Sequence, residues 1–562
     1  MTASVQKVLI LGGYGTFGRR LAQLLVDDSQ RVTLVIAGRS LAKAQRLCGE
    51  LRSLGTVIPA ELDRARDLEP QLRAIAPDLV VDASGPFQAY GEDPYRVVEA
   101  AIALGIHYVD LSDGADFVRG IARFDEAARA RGVFVLSGVS SCPVLTAAVV
   151  RRLSAGMARV ESIAGGIAPS PFADIGVNVI RAIASYAGKP VTLLRDGRKT
   201  RAHALIDRRL FTIAPPGRLP LYARRFSLVE VPDLELLPEL WPSLRAVWMG
   251  VGTVPEICLR GLNALAWMVR LRLLPSLLPV ATLIHNTRTR LSWGEHRGGM
   301  FVTVTGTLAN GEPVERSWHM IAEGDDGPFV PSIAAEAIIR HCLAGQMPKP
   351  GARAGVNDVE LADYEATFAR RRIVTGTRQT PQPGEPLYRR ILGGAYATLP
   401  QPLQVMHDLK SELTATGVAS VERGVGLLSR LASAIVGFPP AGDEVSVEVV
   451  FRLQDGRELW QRNFAGQPFE STQEEGKGRS AHLLCERFGA LNFVMALVVE
   501  GERMRLVMRR WSLLGLPLPL ALAPRIDAYE FVEAGRFHFH VEISHPLTGL
   551  IVRYRGWLVP RV

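Results

Sequence analysis

At 562 residues the chain is too long for a single hydrophobic core, and about three domains are expected. The net charge of +9 comes mostly from arginines scattered along the chain, with no dense basic run, which argues against nucleic-acid binding. The five cysteines, Cys48, Cys142, Cys258, Cys342 and Cys485, form no CxxC pair, which argues against a disulfide framework and a structural zinc site.

The mean hydropathy of +0.13 is high, yet no run of 18 uncharged apolar residues is found. The first strand begins within a few residues of Met1, so no signal peptide is expected. A cytoplasmic protein is the expectation. Peripheral contact with an acidic membrane and a homo-oligomer both stay open.

Lys7–Leu21, KVLILGGYGTFGRRL, anchors the chain. An apolar run ends at Gly12-Gly13, and Gly13, Gly15 and Gly18 spell G-x-G-x-x-G. Phe17, Leu21, Leu24 and Leu25 then recur at helical spacing. A glycine turn between a buried strand and a helix is the setting in which a dinucleotide pyrophosphate is bound. Gly13 is read as the tight turn. Gly15 is read as the close approach to phosphate, with Thr16 and Phe17 at the helix start, and Gly18 as the helix–strand contact.

Further strands are expected at Arg31–Ala37, Val57–Leu62, Leu79–Ala83, His107–Asp110 and Val133–Leu136. Their alternation with helical segments predicts a Rossmann-type, doubly wound parallel sheet over residues 1–150. After the second strand, where an NAD-selective site carries Asp or Glu, the chain has Arg39-Ser40. That pair suits a 2′-phosphate, so NADP is expected; capping of the next helix is the alternative. Asp63 either accepts from the adenine amine or caps the next helix. Ser84-Gly85-Pro86, ahead of Phe87, follows the fourth strand and is expected beneath the ribose and nicotinamide, unless it is an ordinary turn.

The segments GGYGTFGRR, AGRS, DASGPFQAYG and GIHYVDLSDG together resemble the saccharopine dehydrogenase-like reductases. The resemblance covers the first domain and extends loosely to about residue 380. It implies an NADP-dependent oxidoreductase. Two departures argue against a lysine-pathway substrate. His107-Tyr108-Val109-Asp110 is followed by Leu111-Ser112-Asp113 where Gly-Glu is common, and Ser141-Cys142-Pro143 stands where Pro-Gly is common.

An α+β substrate domain is expected over 151–380. Val160–Ile167 and Phe301–Leu308 read as strands, and Asn310-Gly311 as a hairpin turn into Val314–Ala322, in a largely antiparallel sheet. The apolar stretch Trp241–Thr287 is either core helix or an amphipathic surface for a lipidic substrate. The loop Glu323–Pro328 holds three acids, read as a turn rather than a metal site. Helices are expected at Pro331–Leu343 and Asp358–Arg370.

Thr375–Pro386 reads as a linker. Beyond it, Leu387–Gly417 and Gly424–Gly437 read as helical. Nine period-two segments between Val445 and Val559 predict a β-rich domain, 385–562, curved or closed into a barrel. This region resembles an uncharacterised domain that often follows such reductases. Its interior is a candidate site for a hydrophobic ligand. His538 and His540 share a strand face, but no third ligand is evident, so no metal is expected. Around Cys485-Glu486-Arg487, a buried ion pair and a reactive thiol are the two readings.

The expected chemistry is hydride transfer between NADP(H) and a carbonyl, imine or activated alkene of a small molecule, a lipidic one included. Tyr90, Asp113 and Cys142, near strand carboxyl ends, are the candidate proton donors. An NADPH-binding, lipid-carrying or sensor protein without turnover is the alternative.

Overall fold

The computed structural model describes residues 5–26, 32–52, 56–253, 255–290 and 293–561. The chain forms two compact units. The first comprises residues 1–209 and 225–374, the second residues 210–224 and 375–562. The expected division near residue 150 falls inside the first unit, between its two large sheets.

The first sheet is parallel. Its strands are β1 (Lys7–Leu11), β2 (Thr33–Gly38), β3 (Val57–Glu61), β4 (Leu79–Asp82), β5 (His107–Asp110) and β6 (Phe134–Ser137), and Gly351–Ala354 adds a late seventh. The order runs Gly351–Ala354, β6, β5, β4, β1, β2, β3. β1, β2 and β4 are nearly all apolar and buried, as parallel strands covered on both faces are. Leu9, Ile10, Leu34, Ile36, Leu79, Val80 and Val81 are fully buried. The second expected strand began at Arg31, which lies outside the described residues. Helix α1 (Thr16–Leu25) buries Leu21, Leu24 and Leu25 against the sheet and leaves Phe17 half-buried.

The second sheet of this unit is mixed. Ala246–Val251 runs parallel to Met157–Ala168, which pairs antiparallel with Arg297–Leu308, and a hairpin leads on to Pro313–Glu323. The apolar stretch Trp241–Thr287 divides between these roles. Val247, Trp248 and Met249 are sheet core. The helix Glu256–Arg270 buries Leu259, Ala266 and Val269 but exposes Ile257, Trp267 and Met268. Its buried Asn263 donates to the Leu205 carbonyl at 2.6 Å and lies 2.9 Å from Ser227 Oγ. Among the described residues, no helix is long and apolar enough to cross a membrane, and no cluster of His, Cys, Asp and Glu could hold a metal ion. In the acidic loop, Asp326 is spent on Arg371 at 2.9 Å.

The second unit is an antiparallel β-barrel of ten strands. Glu412–Arg423 lies between Gly442–Gln454 and Gly549–Pro560, and the circuit closes where Leu491–Glu500 pairs with Arg503–Leu513. The nine expected strands are present, and the tenth corrects a helix assignment. Helices end at His407, and Glu412–Gly417 begins a strand. Ala415, Ala419 and Val421 turn inward from that strand and are buried, while Thr414 and Thr416 alternate with them, a period of two carried by small and β-branched residues. The expected linker is also partly ordered, since Ile373–Gln379 is a strand. From the middle of the chain, residues 210–224 join this unit. Arg378 Nε donates to the Ala214 carbonyl at 2.7 Å, and Val499 N to the Gly217 carbonyl at 2.8 Å.

Candidate active site

The carboxyl ends of β1 to β6 open into one cavity of about 990 Å³, roofed by the mixed sheet and by the helix Gly176–Tyr186. It straddles the place where β4 and β2 flank β1, the topological switch point at which open α/β sheets bind ligands.

The glycine turn forms its phosphate end. Gly12, not Gly13, takes the left-handed backbone, with φ of +74°. A Cβ on Gly12 would lie 2.7 Å from Ser84 Cα, so the first and fourth strand ends are in direct backbone contact there. Gly13 is a packing glycine instead, since its Cβ would meet the Ile10 carbonyl and Ile36 within 2.9 Å. Gly18 would meet the Gly12 carbonyl at 2.5 Å, as expected for helix against turn. Gly15 is the N-cap of α1, and Gly15, Thr16 and Phe17 line the cavity. The cradle thus leaves side-chain-free backbone beside the amino end of a helix, where its dipole favours an anion.

Arg39 lines the cavity and is exposed. Ser40 does not line it. Its hydroxyl caps helix α2 (Leu41–Leu51) by accepting from Lys43 N at 3.4 Å, and its N–H donates to Tyr14 Oη at 3.0 Å. Asp63 lines the cavity and caps its own turn, accepting from Ala65 N at 3.0 Å, whereas Asp67 caps the following helix.

Ser84, Gly85, Pro86 and Tyr90 line the middle of the crevice. Asn178 holds this loop through the Gly85 carbonyl at 2.8 Å. Beneath it lies buried Asp82, which accepts from Ser84 Oγ at 2.6 Å and Ser84 N at 3.0 Å. Tyr90 Oη lies 2.7 Å from Ser84 Oγ and 3.2 Å from both Asp82 oxygens, with the Arg64 guanidinium 3.3 Å over its ring. Burial and the Asp82 charge push the phenol well above its ordinary value. The neutral phenol is thus shared between Ser84 Oγ and the Asp82 carboxyl.

At the inner end Asp113 is held by Gln88 Nε2 at 2.9 Å, and burial raises its carboxyl. The Cys142 thiol is pushed well above its ordinary value, first by burial and then by the charge of buried Asp233, so it is a neutral thiol and not a ready nucleophile. Asp233 itself is raised by burial to about 6. Sequence reasoning missed Tyr186 and Asp233. Tyr186 lines the same end, and burial and Asp113 raise its phenol. Both come from the middle of the chain with no motif around them.

Asp110 sits beneath this end, at the tip of β5. It accepts from Gly138 N at 2.8 Å, Ser112 N at 3.0 Å and Ser137 Oγ at 3.0 Å, while its second oxygen has no partner. Burial raises it to about 7 from 3.8. The folded chain thus keeps a proton that the unfolded chain releases. This contribution to stability is complete below the unfolded value and is lost as pH rises through about 7. Asp110→Asn is expected to flatten the fall in melting temperature between about pH 4 and about pH 7, read by calorimetry. An unchanged slope would show that Asp110 is ionised throughout.

Residues 8–136 match the family model of the saccharopine dehydrogenase NADP binding domain. With the crevice above, that match makes residues 8–136 an NADP-binding domain of the oxidoreductase type. That nucleotide domain is of the saccharopine dehydrogenase kind, and residues 399–558 match a domain of unknown function, DUF4166. No curated protein matches the chain. Among solved structures it is similar to apo saccharopine dehydrogenase (L-Glu forming) from Saccharomyces cerevisiae, at 14% identity and TM-score 0.46 over 67% of this chain and 100% of that one. A meso-DAPDH mutant with DAP from Clostridium tetani gives 13%, 0.31, 65% and 98%. A dehydrogenase from Chromobacterium violaceum gives 12%, 0.30, 65% and 93%.

Proposed function

We propose that the crevice transfers hydride between NADP(H) and a carbonyl, imine or activated alkene on an uncharged, largely apolar small molecule. One observation carries the substrate class. Among the described lining residues, those from the mixed sheet and the helix Gly176–Tyr186 include no Lys or Arg, and Met249, Met300 and Met320 are among them. A substrate carboxylate buried there would have no cation to pair with.

Gly15, Thr16 and Phe17 would hold the pyrophosphate, Arg39 the 2′-phosphate, and the Ser84–Pro86 loop the ribose. NADPH supplies the hydride when bound. Asp113 delivers or removes the proton, since a desolvated carboxyl is held by Gln88 and is not spent on a cation. Tyr186 is the second donor at the same end. The apolar walls exclude bulk water from the reacting atoms.

The test is NADPH oxidation with a panel of enals, ketones and cyclic imines, after NADPH binding is shown by fluorescence. Asp113→Asn is expected to lower kcat by about 100-fold with NADPH affinity unchanged. Binding without turnover across the panel would favour the carrier or sensor alternative. Arg39→Glu is expected to weaken NADPH by about 100-fold while sparing NADH, read by paired titrations. An undiminished preference for NADPH would move the 2′-phosphate elsewhere.

A further inference from the structure

The barrel encloses a second cavity, of about 360 Å³, within the range of small-molecule sites. Its walls are mainly apolar, including Phe451, Phe464, Phe493, Met495, Leu506 and Phe537.

Glu486, Arg462, Gln473, Tyr388 and Glu530, which reach it, are held in hydrogen bonds among themselves and their neighbours. Glu486 accepts from Ser471 Oγ at 2.7 Å, Arg462 at 3.0 Å and Gln473 Nε2 at 3.1 Å. Tyr388 Oη donates to Gln473 Oε1 at 3.0 Å, and Glu530 lies 2.6 Å from His407 Nε2. The charged groups inside are thus already paired, and burial of apolar surface is the main thing the cavity can reward.

Trp511, Pro524, His545 and Thr548 line the cavity at one end of the barrel, beside the strand ends Leu513, Arg525, His545 and Gly549. Two loops and a helix start are tied to these residues. Trp511 Nε1 donates to the Pro519 carbonyl at 2.9 Å, which secures the loop bearing Leu514 and Leu516. Leu547 belongs to the turn of Thr548, and a Cβ on Gly426 would lie 3.9 Å from the Thr548 carbonyl. Leu427, Leu514 and Leu547 are 85%, 78% and 79% exposed. Isolated exposed leucines are ordinary, but leucines on three segments that follow strand ends at this one end of the barrel form an apolar surface.

The geometry points to a second ligand site in the barrel, for a neutral chain-like apolar molecule of the acyl or isoprenoid kind, admitted through this leucine collar. The site is independent of the nucleotide crevice and of the reaction proposed there.

The probe is diphenylhexatriene, a neutral hydrocarbon that fluoresces only in apolar surroundings, titrated into the full chain saturated with NADPH. One equivalent is expected to bind. Ala528→Trp, which fills the cavity from a buried inward position, is expected to weaken binding by about tenfold or more while NADPH binding stays intact. Should that variant fail to fold, Ala528→Leu carries the same test at smaller volume. Leu427→Glu with Leu547→Glu is expected to slow probe transfer from phosphatidylcholine vesicles without changing equilibrium affinity. A folded Ala528→Trp chain that binds as the parent does would overturn the barrel site. Unchanged transfer in the double variant would overturn the collar as its entrance.

Discussion

Gly12→Ala is expected to abolish measurable NADPH binding and to destabilise the first unit by about 3 kcal/mol. Two costs add. The backbone at Gly12 has φ of +74°, a region that disfavours any residue with a Cβ. The new methyl would also sit 2.7 Å from Ser84 Cα and 2.9 Å from the Ala83 carbonyl carbon and oxygen. Those are backbone atoms, so relief requires β1 and β4 to part at the point where the crevice opens. The Ser84–Pro86 loop moves with them, and nucleotide affinity falls with stability. Gly49→Ala is the control. Gly49 lies inside α2, and a methyl added there would meet no heavy atom within 4 Å, so alanine is expected to stabilise by about 0.5–1 kcal/mol. Urea denaturation and NADPH titration of both variants check this, and a Gly12→Ala chain with parental affinity would refute the turn assignment.

In the barrel, Arg462→Leu is expected to cost about 3–5 kcal/mol. Both partners of the Arg462–Glu486 pair are largely buried, with side chains 12% and 10% exposed. Removal of the guanidinium leaves a carboxylate in an interior of phenylalanine and methionine, where Ser471 and Gln473 donate hydrogen bonds but no positive charge. The guanidinium also lies 5.0 Å from the Trp460 ring centroid and 5.5 Å from that of Phe469, contacts that go with it. The double variant Arg462→Leu, Glu486→Leu is expected to recover most of the loss, because an apolar pair of similar volume needs no desolvation. Denaturation midpoints of the three chains decide the matter. A double variant no better than the sum of the single ones would show that the pair does more than neutralise charge. The same pair settles the reading of the Cys485–Arg487 segment. Glu486 is an ionic anchor, and burial pushes the neighbouring Cys485 thiol to about 11, which removes it as a reactive nucleophile.

Much was legible along the chain. A buried parallel strand is apolar throughout, a helix repeats every 3.6 residues, and a strand with one wet face repeats every two. These local rules placed the glycine turn, β1 to β6 and nine barrel strands. Arg39, Asp63 and the Ser84–Pro86 loop followed from them, because the sites of a doubly wound sheet lie at strand ends whose order is already known. Local rules erred where local chemistry was ambiguous. Gly12 and Gly13 are neighbours of one type, and only the approach of the Ser84 backbone decides which one turns and which one packs. Glu412–Gly417 is too short and too small-residued to declare its period, and its ladder partners, residues 442–454 and 549–560, lie far along the chain. Tyr186, Asp233, the paired charges inside the barrel and the exposed leucines at its end could be recognised only after folding. Each is a meeting of segments remote in sequence, and burial, pairing and exposure are properties of the space between residues.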